Sequence, residues 1–140
     1  MKSPKSMVAA FLIAGTLAAT PAFSEPYLVD VLAKPTYGKS WNALFFGEKN
    51  VETWLTEYSR TLDGPATPGK IITLDETHYQ INDVCKTHSC GSNTFYVLFA
   101  PNGAAAWGLL LTEDRDGRKK ERFFGNPDAQ KKQALRAAAN

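Results

Sequence analysis

The sequence predicts an α+β fold: a five-stranded antiparallel meander sheet with N-terminal helices and a C-terminal helix packed on it. Three observations carry this expectation. Apolar residues recur with a helical period as far as Tyr58 and with a period of two from Lys70 onward. The change falls at Asp63-Gly64-Pro65-Ala66-Thr67-Pro68-Gly69, where two prolines and two glycines in seven residues interrupt any regular element. Downstream, each of four successive strand-to-strand connections is too short for a crossover helix, so neighbouring strands must run antiparallel.

Tyr27 to Ala33 is almost continuously apolar and fits a strand or a short helix; a short helix ended by Pro35 is the expectation. Lys39 to Phe46 places Trp41, Leu44 and Phe45 at i, i+3 and i+4, one apolar stripe, with Gly47 as its C-terminal stop. In Val51 to Tyr58 the residues Val51, Trp54, Leu55 and Tyr58 share a face, Asn50 is the expected N-cap, and Glu52 meets the positive end of the helix dipole.

Lys70 to Leu74 and His78 to Val84 flank Asp75-Glu76-Thr77, a connection of hairpin length. Thr94 to Ala100 is aromatic and β-branched on both faces, the strongest strand signal in the chain. Pro101-Asn102-Gly103 turns into Ala104 to Thr112, with Trp107, Leu109 and Leu111 on one face, and Asp116-Gly117 turns into Lys119 to Phe124. Asn126-Pro127-Asp128 opens a last helix with a cap residue, proline at N1 and an acid in the first turn. That helix is mostly alanine on its apolar side, so it is expected to dock weakly or fray. The N-terminal helices cover one face of the sheet; the last helix or a second subunit covers the other, which leaves a homodimer open.

The chain begins with an export signal. Lys2 and Lys5 precede an apolar run from Met7 to Ala19, and Pro21-Ala22-Phe23-Ser24 supplies the small residues of a cleavage site. The run is 13 residues, short of the roughly 20 a bilayer demands, so no membrane insertion of the mature chain is expected. Residues 1–24 are therefore read as a cleavable signal peptide and 25–140 as a single exported domain. The formal charge of +2 belongs to Lys2 and Lys5, and residues 25–140 carry 14 basic against 14 acidic side chains. A nucleic-acid partner would need a basic surplus, and this balance excludes it. Both methionines lie in the signal, which argues against a thioether copper site, and no cofactor is expected.

The candidate site is Cys85-Lys86-Thr87-His88-Ser89-Cys90-Gly91-Ser92-Asn93, which holds both cysteines and one of the two histidines. Two cysteines in an exported chain more often pair than stay free. If bonded, they enclose Lys86, Thr87, His88 and Ser89 in a ring whose closure stabilises the fold by only roughly 2 kcal/mol. A local purpose then fits better: a tied loop loses less freedom on binding. A plain hairpin staple with an incidental histidine is the alternative. Gly91 permits a tight return to the next strand.

The loop resembles that of the Ivy family, periplasmic inhibitors of vertebrate c-type lysozyme, which carry C-K-P-H-D-C between two strands of an antiparallel sheet. The approach His78-Tyr79-Gln80-Ile81 is similar to the family's segment before that loop, and the order of signal, helices and meander also matches. The resemblance implies a Cys85–Cys90 disulfide, His88 as the residue inserted into the lysozyme cleft, and Lys86 as a flanking contact. Thr87 stands where the family has proline and Ser89 where it has aspartate; both departures bear on affinity and target choice more than on fold. It implies no enzymatic activity. The partner would be a c-type lysozyme or, by the same loop, one of the cell's own lytic transglycosylases.

The chemistry suits that role. A lysozyme site holds two carboxyl groups about 5 to 5.5 Å apart. A protonated imidazole can donate a charge-assisted hydrogen bond of roughly 2.8 Å from each nitrogen, one to each carboxyl. Other chemistries fit less well. Cys85, His88 and Cys90 as metal ligands would lose two members on oxidation and lack a fourth, so no metal is expected. A Ser-His-Asp set would need His88 or His78 beside a serine and an acid, whereas Asp75, Glu76, Asp83, Asp114 and Asp116 lie mainly in turns. Trp41, Trp54 and Trp107 as a sugar-stacking platform would make a peptidoglycan-binding module, but their helix and strand spacing reads as core. Arg115, Arg118, Lys119, Lys120 and Arg122 read as a solvated edge that resists strand pairing.

Overall fold

The computed structural model describes residues 25–140 and the isolated Gly15; the expected signal peptide otherwise lies outside the described residues. Helices α1 (Leu28–Leu32), α2 (Pro35–Phe45) and α3 (Thr53–Thr61) precede strands β1 (Lys70–Leu74), β2 (Thr77–Cys85), β3 (Asn93–Phe99), β4 (Ala106–Glu113) and β5 (Lys119–Phe124), and α4 (Ala129–Ala138) ends the chain. The strands lie in sequence order and every neighbouring pair is antiparallel, the α+β meander expected from the short connections.

Element boundaries differ from expectation where local chemistry had two solutions. Pro35 both follows α1 and occupies the first turn of α2, where its missing N–H costs nothing, so α2 begins four residues before Lys39. Asn50 does not cap α3. It takes a left-handed φ of 57°, and Glu52 occupies the cap position without a side-chain cap bond. The connection before α3 is held instead by Arg122, whose guanidinium donates to the carbonyls of Lys49 (2.8 Å) and Asn50 (3.0 Å). Arg122 is thus a tether between β5 and the helices, not part of a freely solvated edge. The cap of α4 is Asp128, whose carboxylate accepts from the Lys131 N–H at 2.9 Å. Asn126, at φ 53°, turns the chain out of β5 instead.

One face of the sheet packs against α1, α2 and α3 through a dense aromatic core. Trp41, Phe45, Phe95 and Phe124 meet edge to face or tilted, with ring centroids 5.1 to 5.7 Å apart. Gly108 makes room for this cluster: a Cβ there would sit 2.3 Å from Phe95 Cζ. Trp41 is buried and donates to Ser59 Oγ at 3.0 Å. Trp54 packs on the same core, and Trp107 on the opposite one. All three tryptophans serve packing, as their spacing suggested.

The other face carries Ile81, Leu98 and Leu109 under α4, whose Leu135 is fully buried among them. The alanine-rich helix is docked more firmly than expected. The Lys131 ammonium lies 4.7 Å from the Trp107 ring centroid, and Arg136 donates to both carboxylate oxygens of Glu121 while lying 5.1 Å from the Phe123 ring. Long basic stems do the covering that alanine cannot. The last helix therefore covers this face over β3 and β4.

Candidate functional site

β2 and β3 extend to Cys85 and Asn93, which pins both ends of the loop to the sheet; Cys85 pairs with Thr94. Cys85 and Cys90 are bonded with Cα atoms 4.9 Å apart, inside the usual span of about 4.4 to 6.8 Å. Within the ring the Ser89 N–H donates to the Lys86 carbonyl at 2.9 Å, closing a β-turn with Thr87 and His88 as its central residues. His88 has φ 66°, while Thr87 is not among the positive-φ residues. A turn that is left-handed only at its third position is type II. Glycine favours that position; histidine is one of the few other residues enriched there.

The ring stands on a braced base. The Lys86 N–H donates to the Asn93 carbonyl (3.0 Å), and the Ser89 carbonyl accepts from the N–H groups of Ser92 (3.1 Å) and Asn93 (2.9 Å). Thr94 Oγ1 donates to the Cys90 carbonyl at 2.8 Å. Two bonds tie this unit to its neighbours: Cys85 N–H to the Pro65 carbonyl (3.0 Å), and Glu113 N–H to the Ser92 carbonyl (2.8 Å). Lys86, Thr87 and His88 are exposed above this base and Ser89 is half-buried in it. The geometry is that of a small projection whose backbone is already ordered before it meets anything.

Gly91 is a correction. Its φ is outside the left-handed range, and nothing lies within 4 Å of where a Cβ would be. The return to β3 is made by the Ser89 carbonyl, and any small residue would fit at 91.

The second histidine is not part of this site. His78 lies near the other end of β2, with its Nδ1 3.0 Å from Thr73 Oγ1. Seven residues of strand put it about 23 Å from the ring at roughly 3.3 Å per residue. The carboxylates are used locally: Asp83 accepts from Thr67 N–H (3.2 Å) and Oγ1 (2.5 Å), and Asp114 accepts from the N–H groups of Asp116 and Arg118, each at 2.9 Å. Among the described residues no three His, Cys, Asp or Glu side chains are placed to hold a metal ion.

The segment Asp63 to Gly69 was legible only as a separator, yet it forms one wall of the site. Gly64 lies against Tyr58, where an added Cβ would be 3.0 Å from the ring, and Pro65 receives Cys85. Its proline and glycine density was the one signal that the backbone there is shaped. On the opposite side of the ring a hollow of about 150 Å³ runs from Cys90 and Ser92 past Tyr96 to Ala139, just beyond α4.

Comparisons with known proteins converge on this chain's kin. The family described as "Inhibitor of vertebrate lysozyme (Ivy)" matches residues 37–138, a stretch that contains the ring and all five strands. A protein of Pseudomonas aeruginosa named "Inhibitor of vertebrate lysozyme" is 29% identical, the match covering 96% of this chain and 93% of that protein. A protein of the same name from Escherichia coli is 30% identical over 73% of this chain, spanning 62% of its own length. A Yersinia pestis protein without a functional name is 30% identical over 70% of this chain and 61% of its own length. With the family match spanning the sheet, the ring and the last helix, the chain belongs to the Ivy family.

Proposed function

We propose that this protein inhibits c-type lysozyme by seating the Cys85–Cys90 ring in the active-site cleft, with His88 between the two catalytic carboxyl groups. The observation that carries this reading is the placement of His88 at the exposed third position of a type II turn, on a ring braced to the segment after α3, to β3 and to β4. Family membership and the names of its relatives support the same target class.

An imidazolium at the tip of a narrow projection can reach two carboxyl groups that a flat surface cannot. One N–H donates to each, so the acid and the nucleophile are occupied together. Lys86 adds attraction toward the acidic cleft. Because the ring is ordered beforehand, little conformational entropy is lost on docking. The protein acts by occupation and performs no chemistry of its own. Residues 1–24 direct export to the periplasm in this reading, and the exported protein should begin at Glu25, as N-terminal sequencing would establish.

The direct test is lysozyme turnover against added protein. His88→Ala should weaken binding by about 2 to 5 kcal/mol, in the range for a buried charged hydrogen-bond partner, while leaving the melting temperature unchanged because the side chain is exposed. Inhibition that survives the loss of His88 would remove the histidine from the mechanism.

A further inference from the structure

Beside the first half of the ring lies a cavity of about 250 Å³. Trp54 and Tyr58, four residues apart on α3, give it an aromatic floor; Cys85, Lys86 and Thr87 form its inner wall. Glu57 and Asp63 stand on its rim.

The chain is bent to build that rim. α3 ends on Leu62 in the left-handed conformation, φ 54°, with its N–H on the Tyr58 carbonyl at 2.7 Å. Such a cap usually takes glycine; a leucine there is strained. Gly64 then presses on Tyr58 and Pro65 bonds to Cys85, so Asp63 is carried back alongside the ring. A second departure from good packing sits in the same place: the Trp54 indole N–H is buried with no acceptor. Strained and unsatisfied groups gather at sites that have a use.

The charges are unequal. Glu57 is engaged by Arg60, whose guanidinium holds its carboxyl below the usual carboxylate range. Asp63 takes part in none of the ion pairs among the described residues. Tyr58 stays neutral, its phenol pushed up to about 12 by burial and then by Asp30 and Asp83. Lys86 is the one cation on the wall, and its flexible stem lets it follow His88 toward the target's carboxyl groups.

We propose that this cavity is a second anchor of the same interface and receives an arginine or lysine side chain from the lip of the target's cleft, stem against Trp54 and charge on Asp63. The inference rests on the inhibitor reading, because its occupant belongs to the protein that receives His88. A projection that enters a cleft brings the cleft's lips down on either side of it, and this cavity is continuous with the ring's flank. An aromatic floor with a free carboxylate on the rim suits a cation with an apolar stem. The pair is also partly desolvated by the contact, which raises its weight above that of an exposed ion pair.

The test uses protein labelled with fluorotryptophan, whose three tryptophans give three fluorine resonances, that of Trp54 assigned through Trp54→Phe. On addition of unlabelled c-type lysozyme the Trp54 resonance should shift while that of buried Trp41 stays. Asp63→Lys should raise the dissociation constant about tenfold or more, Asp63→Asn less, and both effects should shrink as salt rises. If Trp54 stays still while His88→Ala weakens binding, the anchor is overturned and the ring's role stands. A shifted Trp54 with Asp63→Lys binding unchanged overturns the cationic occupant. If the wild-type protein binds no lysozyme, the inhibitor reading falls and takes the anchor with it.

Discussion

The two ends of β2 carry turns built on opposite plans. At its start, Leu74 and Thr77 pair directly, and Asp75 and Glu76 between them both take left-handed φ values, 46° and 64°. Two left-handed residues make the type I′ turn, whose twist suits a two-residue hairpin. Nothing covalent holds it. At the other end of β2 a seven-residue connection closes on itself through a disulfide, and its ends share backbone hydrogen bonds with two neighbouring segments. Left-handed residues occur in both turns, but in the first the local strain serves the strand pairing, whereas in the second it lifts one histidine clear of the sheet. A turn that only reverses the chain needs the shortest path. A turn that presents a side chain needs a pedestal.

That contrast can be broken from either end. The largest effect belongs to His88→Ala, which should abolish most inhibition without moving the melting temperature; a loss of stability instead would make His88 a structural residue like its counterparts at the hairpin. Next comes replacement of both cysteines by serine. Stability should fall by roughly 2 kcal/mol in denaturant titration, and inhibition should fall about tenfold, since the loop must then be ordered on binding. Equal inhibition by the reduced protein would mean that the hydrogen-bonded base suffices.

Thr87→Pro sharpens the comparison further. Thr87 occupies the second position of the turn, where proline's fixed φ fits, and its N–H donates to no backbone carbonyl among the described residues. The change should stabilise the fold by about 0.4 to 1 kcal/mol through the unfolded state and tighten lysozyme binding, read by thermal melting and by titration calorimetry. The smallest effect is expected at the hairpin. Glu76→Gly places glycine where φ is 64° and should gain about 0.5 kcal/mol with inhibition unchanged. A change in inhibition there would join the two ends of β2 functionally.

Legibility followed the range of the forces involved. The meander could be read because short connections and a period of two are local in the sequence, and the family could be read because six consecutive residues, Cys85 to Cys90, carry its signature. The caps were misplaced because Asn50 and Asn126 are good cap residues that the structure uses for left-handed turns instead. The grip of α4 was underestimated because alanine spacing says nothing of basic stems reaching across to Trp107 and Phe123. Least visible of all was the ground around the ring. Pro65, Glu113 and Asp63 are 20, 28 and 22 residues from Cys85, and only the folded chain brings them to its side.

The hollow beyond the ring has a practical side. Ala139, at the C-terminal end of α4, shares it with Cys90 and Ser92, so whatever is appended after Asn140 emerges beside the projecting turn. A purification handle or fluorescent reporter fused there would shade the very surface under assay, and a weak signal from such a fusion would measure the linker as much as the protein. Immobilisation on a sensor through that end would face the ring toward the chip. Attachment on the exposed β5 edge at Lys119 or Lys120 has the same drawback, since Lys119 lines the same hollow. Chemistry at the hairpin end of β2, on Glu76 or His78, leaves the ring open to solution.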